Sequence, residues 1–124
     1  MATPFESLVK IMSTLRNPVT GCPWDLEQTH SSLKSSLLEE TYELLDALDS
    51  GVKASIIEEL GDLLFQIVYL SEIASESKKF NFNDVVDNIT SKMISRHPHV
   101  FKNKKFKNLK DFNLWWEDSK NKKQ

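Results

Sequence analysis

With 124 residues, of which 40% are hydrophobic and 27% charged, the chain has the length of one domain. Three glycines and four prolines are few for the turn-rich all-β folds, so helices are favoured. A formal net charge of −2 supplies no general attraction to nucleic acid or to an anionic membrane, and any charge-based function must come from local clusters.

Such clusters exist. Acidic residues crowd the middle of the chain, whereas Lys102, Lys104, Lys105, Lys107, Lys110, Lys120, Lys122 and Lys123 make its last part basic. A lone cysteine, Cys22, excludes an internal disulfide and a cysteine-rich zinc site, which fits a reducing compartment. No apolar run approaches the roughly 20 residues that span a bilayer, and MATPFESLVK lacks the apolar stretch of a signal peptide. The expectation is a cytoplasmic protein that engages neither membrane nor polymeric nucleic acid.

In chain order, residues 4–16 place Phe5, Leu8, Ile11, Met12 and Leu15 at helical spacing, and Asn17-Pro18 halts the pattern. The stretch NPVTGCPWDLEQ, 17–28, holds two prolines and the first glycine and predicts an irregular loop, with Trp24 packing it against the rest. A second helix is predicted from Thr29 to about Ser50, its cap among Thr29, His30 and Ser31 and its stop at Gly51. A third, over 53–77, is the most apolar segment of the chain. After a short break at 80–83, a fourth helix runs from Asp84 to Arg96, with Asn83 as its cap and Pro98 just beyond its end. A basic loop follows, and a last short helix over 111–121 presents Phe112, Trp115 and Trp116. Without repeats or strand-like alternation, the prediction is all-α. It is a bundle of four to five helices forming a single domain over 1–124, with the basic loop and short C-terminal helix from about 97.

The acids of LLEETYELLDAL, 37–48, lie close to apolar positions. At about 100° per residue, Glu43 and Glu40 fall about 40° and about 100° from Glu39, and Leu33, Leu37, Leu38, Leu44, Leu45 and Leu48 occupy the arc beyond. On this helix alone the glutamates could equally form an ordinary solvated face. The next helix decides. Apolar residues from Leu70 to Val68 cover about half of its circumference, and Phe65 and Tyr69 add more, so it is expected to be mostly buried. Yet it carries Glu59 and Asp62 on one strip with Gln66. An ionised carboxylate buried without a partner costs several kcal/mol. No basic residue lies between Lys53 and Lys78, and the preceding helix offers only Lys34. Up to five acids, Glu39, Glu40, Glu43, Glu59 and Asp62, thus face one another without matching cations, and a divalent ion is the natural counter-charge. All-oxygen ligation selects Mg²⁺ or Mn²⁺, and magnesium commonly shares its coordination with substrate phosphates. A di-iron carboxylate bundle needs two Glu-x-x-His pairs, and Glu27 with His30 supplies one such spacing in a loop and no second.

Glu39-Glu40-x-x-Glu43, a gap of 15 residues, and Glu59-x-x-Asp62 resemble the paired signature of the MazG-type nucleoside triphosphate pyrophosphohydrolases. GCPWDLEQTH at 21–30, EELGDLLFQIV at 58–68 and RHPHVF at 96–101 look like further blocks of that family, so the likeness spans roughly 8–120. The resemblance implies an all-α fold completed by homo-oligomerisation, a dimer with a tetramer as the alternative. It also implies Mg²⁺-dependent hydrolysis, with Mn²⁺ as a substitute, of an NTP or dNTP between the α and β phosphates to NMP and pyrophosphate. By motif position it makes Glu40, Glu43, Glu59 and Asp62 the metal ligands and puts Glu39 and Glu58 behind them, Glu39 as a candidate proton acceptor. It brings Lys92, Arg96, Trp116 and Lys120 to the substrate. Lys92 and Arg96 could also be a solvated face, Trp116 could be core or interface, and His97 and His99 read first as loop-packing or phosphate-proximal. Where some relatives carry a phosphate-contacting lysine one turn before Glu59, this chain has Ser55. Competing expectations are a catalytically idle helical module, and the same hydrolysis acting on ppGpp or a damaged nucleotide.

Overall fold

The computed structural model describes residues 2–121, so Lys122 and Lys123 of the basic tail lie outside them. Among the described residues it has seven helices and no strand: α1 Pro4–Leu15, α2 Pro23–Leu26, α3 His30–Ser50, α4 Lys53–Glu76, α5 Phe82–Arg96, α6 Pro98–Phe101 and α7 Leu109–Asn121. Local chemistry explains the boundaries. Thr3 accepts from the Glu6 amide and Pro4 opens α1. Thr29 caps α3 through a reciprocal pair with Ser32, and Gly51, in the left-handed region at φ 70°, closes it. The fourth predicted helix starts two residues early, at Phe82, so Asn83 lies in its first turn and is not its cap. The last helix likewise starts at Leu109.

Two compact units are formed, one closing at Phe82 and the second beginning at Asn83. In the first, α3 and α4 make a hairpin about the turn at Gly51, and α1 packs against α4. Its core joins Met12 of α1, Leu33 near the start of α3, and Val68 and Tyr69 in the second half of α4, flanked by Leu8, Phe65 and Ile73. This core sits at one end of the hairpin. At the other end, nearer Gly51, the expected burial of α4 is not found: Ile57 and Leu60 are 60% and 51% exposed, and all the buried residues of α4 lie from Val68 onward. The reason is geometric. α1 covers only the far half of α4, and a hairpin of two helices leaves the outward half of each apolar stripe without a partner.

A polar clamp holds the 17–28 segment on this core. Arg16, 9% exposed, donates through Nε and Nη2 to the two oxygens of Glu76 at 2.8 and 2.6 Å, and through Nη1 to the carbonyls of Asp25 and Gln28 at 2.7 and 3.0 Å. The Tyr69 hydroxyl lies 2.9 Å from the Asp25 carbonyl and 2.8 Å from its carboxylate. With its backbone fastened this way, the segment does not use Trp24 as an anchor. Contrary to expectation, that side chain is 69% exposed.

The second unit gathers α5, α6 and α7 around an aromatic group. His97 lies against Phe112 and Trp116, and His99 packs edge-on to Phe106 and Phe112. His97 donates from Nδ1 to the Met93 carbonyl at 2.6 Å. Of the two expectations for these histidines, packing is the one the structure displays. No described helix is long and apolar enough to cross a membrane.

Candidate functional site

α3 and α4 face their acids toward one another near the turn end of the hairpin. One carboxylate oxygen from each of Glu40, Glu43 and Glu59 lies within 4.8 Å of the other two. Glu40 and Glu59 are half-buried and Glu43 is exposed. The spacing is that of the helix: Glu40 and Glu43 sit three apart on α3 and turn to the same side, toward the strip of α4 that bears Glu59.

The electrostatics are unfavourable for three bare carboxylates. Oε2 of Glu40 and Oε2 of Glu59 are both buried and without a hydrogen-bond partner among the described residues. Burial, followed by the charges of Glu43, Asp62 and Glu59, pushes the Glu40 carboxyl up to about 7. Glu59 is raised as well, first by burial and then by Glu43 and Asp62. Asp62 is exposed and stands outside the group of three oxygens, yet is near enough to act on both. Glu39 and Glu58 are exposed and also outside it, Glu58 acting on Glu59 by charge alone.

These donors fit a hard divalent cation. All are carboxylate oxygens, and their 4.8 Å spread is close to the roughly 4.2 Å between opposite ligands of an octahedral Mg²⁺. The two orphaned oxygens are the ones a cation would satisfy.

The remaining predicted residues belong to the second unit. Arg96 is 6% exposed, its Nη1 is buried without a partner among the described residues, and its guanidinium lies 5.5 Å from the ring centre of Trp116. Lys120 is exposed, 3.8 Å from Glu117 one turn earlier. Lys92 is half-buried, on the same helix as Arg96 and four residues before it. Sequence reasoning noticed Gln66 on the acidic strip but gave it no role, although its carboxamide oxygen is buried and without a partner among the described residues. It missed Arg16 altogether, because a single arginine at a helix end carries no periodic signal.

A helical hairpin that converges carboxylates from both arms defines an all-α, oxygen-ligand site. The model of the MazG nucleotide pyrophosphohydrolase domain matches residues 28–101, which include both arms, and the chain belongs to that family. Among similar proteins, the nucleoside triphosphate pyrophosphohydrolase/pyrophosphatase MazG of Thermotoga maritima is 47% identical over 116 residues, 94% of this chain and 44% of that protein. The nucleoside triphosphate pyrophosphohydrolase of Escherichia coli K12 is 44% identical over 115 residues, 93% of this chain and 44% of its own length. YabN of Bacillus subtilis, an uncharacterized protein, is 45% identical over 94% of this chain and 24% of its own. The chain therefore spans between a quarter and a half of these relatives. The crystal structure of a mazG-related protein from Thermotoga maritima shares the fold, with a TM-score of 0.76 at 24% identity over 94% of this chain and 99% of that one.

Proposed function

We propose that this chain hydrolyses nucleoside triphosphates between the α and β phosphates, releasing NMP and pyrophosphate, with Mg²⁺ or Mn²⁺ held by Glu40, Glu43 and Glu59 and completed by Asp62. The observation that carries the proposal is the convergence of three carboxylates within 4.8 Å, two of them with buried oxygens that nothing among the described residues satisfies. The family supports it, and two of the relatives are named for nucleoside triphosphate pyrophosphohydrolase activity.

Bound there, a divalent cation supplies Lewis-acid polarisation of phosphoryl oxygens and charge neutralisation. The chain supplies the rest. Glu40 on α3 and Glu59 on α4, each with one oxygen shielded from water, would hold that cation between the two helices. Glu39, exposed and outside the ligand group, is free of cation ligation and suits the role of proton acceptor for the attacking water. Arg96 suits an anion: its guanidinium nitrogen, buried without a partner among the described residues, would gain from a phosphate oxygen. Lys92 and Lys120 add positive charge to the same unit, and Trp116 positions Arg96 beneath its ring. Such a substrate would come from the cytoplasmic nucleotide pool.

We also infer a homodimer. Its warrant is the apolar surface of α3 and α4 left exposed beside the acids.

The test is direct. With Mn²⁺ or Mg²⁺ and a panel of NTPs and dNTPs, the protein should form NMP and pyrophosphate and no NDP. Glu43→Ala and Asp62→Ala should each lower the rate at least 100-fold with an unchanged circular dichroism spectrum. Formation of NDP and phosphate would refute the cleavage position, and no turnover of any nucleotide by the folded protein would refute the enzyme.

A further inference from the structure

Between the acids and the Arg16 clamp, one polar side chain of α4 has no role assigned above. Gln66 follows Asp62 by four residues and Glu59 by seven, about 6 Å and about 10 Å along the axis, on the same strip of the helix. It is half-buried, and its carboxamide oxygen is shielded from solvent without a hydrogen-bond partner among the described residues. Its own helix cannot supply one. Leu63, Ile67 and Leu70 around it are apolar, and the Tyr69 hydroxyl, three residues on, is engaged with Asp25. A buried acceptor of this kind is complete only when something else brings a donor.

The direction of the strip says what that is. Toward its beginning, α4 opens on Val52 with no side-chain cap, so its first amides and Lys53 favour negative charge. Beyond Asp62 the helix carries no charge until Glu72, six residues past Gln66. A nucleotide whose phosphates meet a cation at Glu40, Glu43 and Glu59 could extend its uncharged nucleoside along α4, past the acids, to Gln66.

We propose that Gln66 reads the nucleoside, its carboxamide oxygen accepting a hydrogen bond from a ribose hydroxyl or an exocyclic amine of the base. The proposal rests on the nucleotide-hydrolysing reading of the acids and names the group that selects among nucleotides.

Steady-state kinetics of the full chain with Mn²⁺ test it, comparing wild type with Gln66→Met and Gln66→Asn. The two arms are ribonucleotides against their 2′-deoxy forms, and ATP and GTP against ITP, which lacks the exocyclic amine. Gln66→Met should raise KM about tenfold for the substrate bearing the donor, hold kcat within about threefold, and flatten the preference in one arm. The flattened arm identifies hydroxyl or amine. Gln66→Asn, which keeps the amide but shortens its reach, should move the same arm in the same direction, and it carries the test if the methionine variant does not fold. Calorimetric Mn²⁺ binding should stay at the wild-type value. Preferences retained in both arms, a loss uniform across all nucleotides, or weakened Mn²⁺ binding would overturn the assignment while leaving the hydrolase standing. A wild type inactive on every nucleotide would remove the reading beneath it.

Discussion

Glu40 carries the sharpest conflict between stability and function in this molecule. Its carboxyl titrates near 7, against an ordinary value of 4.5, because burial and three neighbouring acids disfavour the charge. Between pH 4.5 and about 7 the folded, metal-free chain therefore holds a proton that the unfolded chain has released. Its stability falls as pH rises through that interval and levels off above it. Glu59, raised for the same reasons, adds to the slope in the same direction. In EDTA, thermal denaturation should show the Tm of the wild type dropping by several degrees from pH 5 to pH 8, with Mn²⁺ restoring it at pH 8 by binding the folded state. Glu40→Gln should be more stable than the wild type in EDTA at pH 8, equal to it at pH 5, and unresponsive to Mn²⁺. A wild-type pH slope no steeper than the variant's would mean that the carboxylates do not repel one another. These acids were legible in the sequence because two helical periods without intervening cations placed them on facing strips. Trp24 was not, since whether an aromatic in a loop points in or out depends on what else fastens the loop, and here Arg16 and Tyr69 do so.

At the scale of elements, the segment between α1 and α3 is held by few, concentrated contacts. Arg16 reaches one carboxylate and two carbonyls, so removing it takes a donor from all three at once, and of these the Asp25 carbonyl keeps the Tyr69 hydroxyl and the Gln28 amide. Glu76 is partly hydrated, with its side chain 37% exposed, and recovers some of the loss from water. Arg16→Met should thus cost about 2 kcal/mol, below the roughly 3–5 kcal/mol of a fully buried pair. In urea the midpoint should fall accordingly, and chymotrypsin should cleave after Trp24 and Leu26 faster than in the wild type. Gly21 tests the same segment by crowding: a Cβ there would stand 2.3 Å from the Leu15 carbonyl and 2.5 Å from that of Asn17, backbone atoms that cannot swing aside. Gly21→Ala should destabilise by about 2 kcal/mol, and a neutral result would mean that the turn relaxes freely. The five long helices were legible within two residues at their ends because periodicity marks them all, and Thr29 and Gly51 mark α3 in particular. α2 and α6 were not. Each is four residues opened by a proline, too short to display a period, and Pro23 and Pro98 read equally as loop residues or as first residues of a helix.

On the scale of the whole molecule, the single chain does not cover its own apolar surface. Leu38, Tyr42 and Leu45 on α3 and Ile57, Leu60 and Ile67 on α4 are between 38% and 61% exposed, and they share their helices with the acids. Large apolar side chains clustered on two adjacent helices form the kind of patch that monomers seldom leave open. A second copy meeting it about a two-fold axis would be self-complementary, each hairpin covering the other's stripe and raising a four-helix core from two hairpins. Because these residues are exposed in one chain, charging them should barely affect its own fold, by about 0.5 kcal/mol, but should disrupt the association. Light scattering should give twice the chain mass for the wild type, and the mass of one chain for Leu45→Glu combined with Ile57→Glu. The urea midpoint of the wild type should rise with protein concentration and that of the double variant should not. If the dimer also excludes water from the carboxylates, activity should fall with dissociation, so the rate per chain should drop on dilution through the dissociation constant. A monomeric wild type at micromolar concentration, fully active and folded, would show that the hairpin tolerates its open face and that the acids need no second chain.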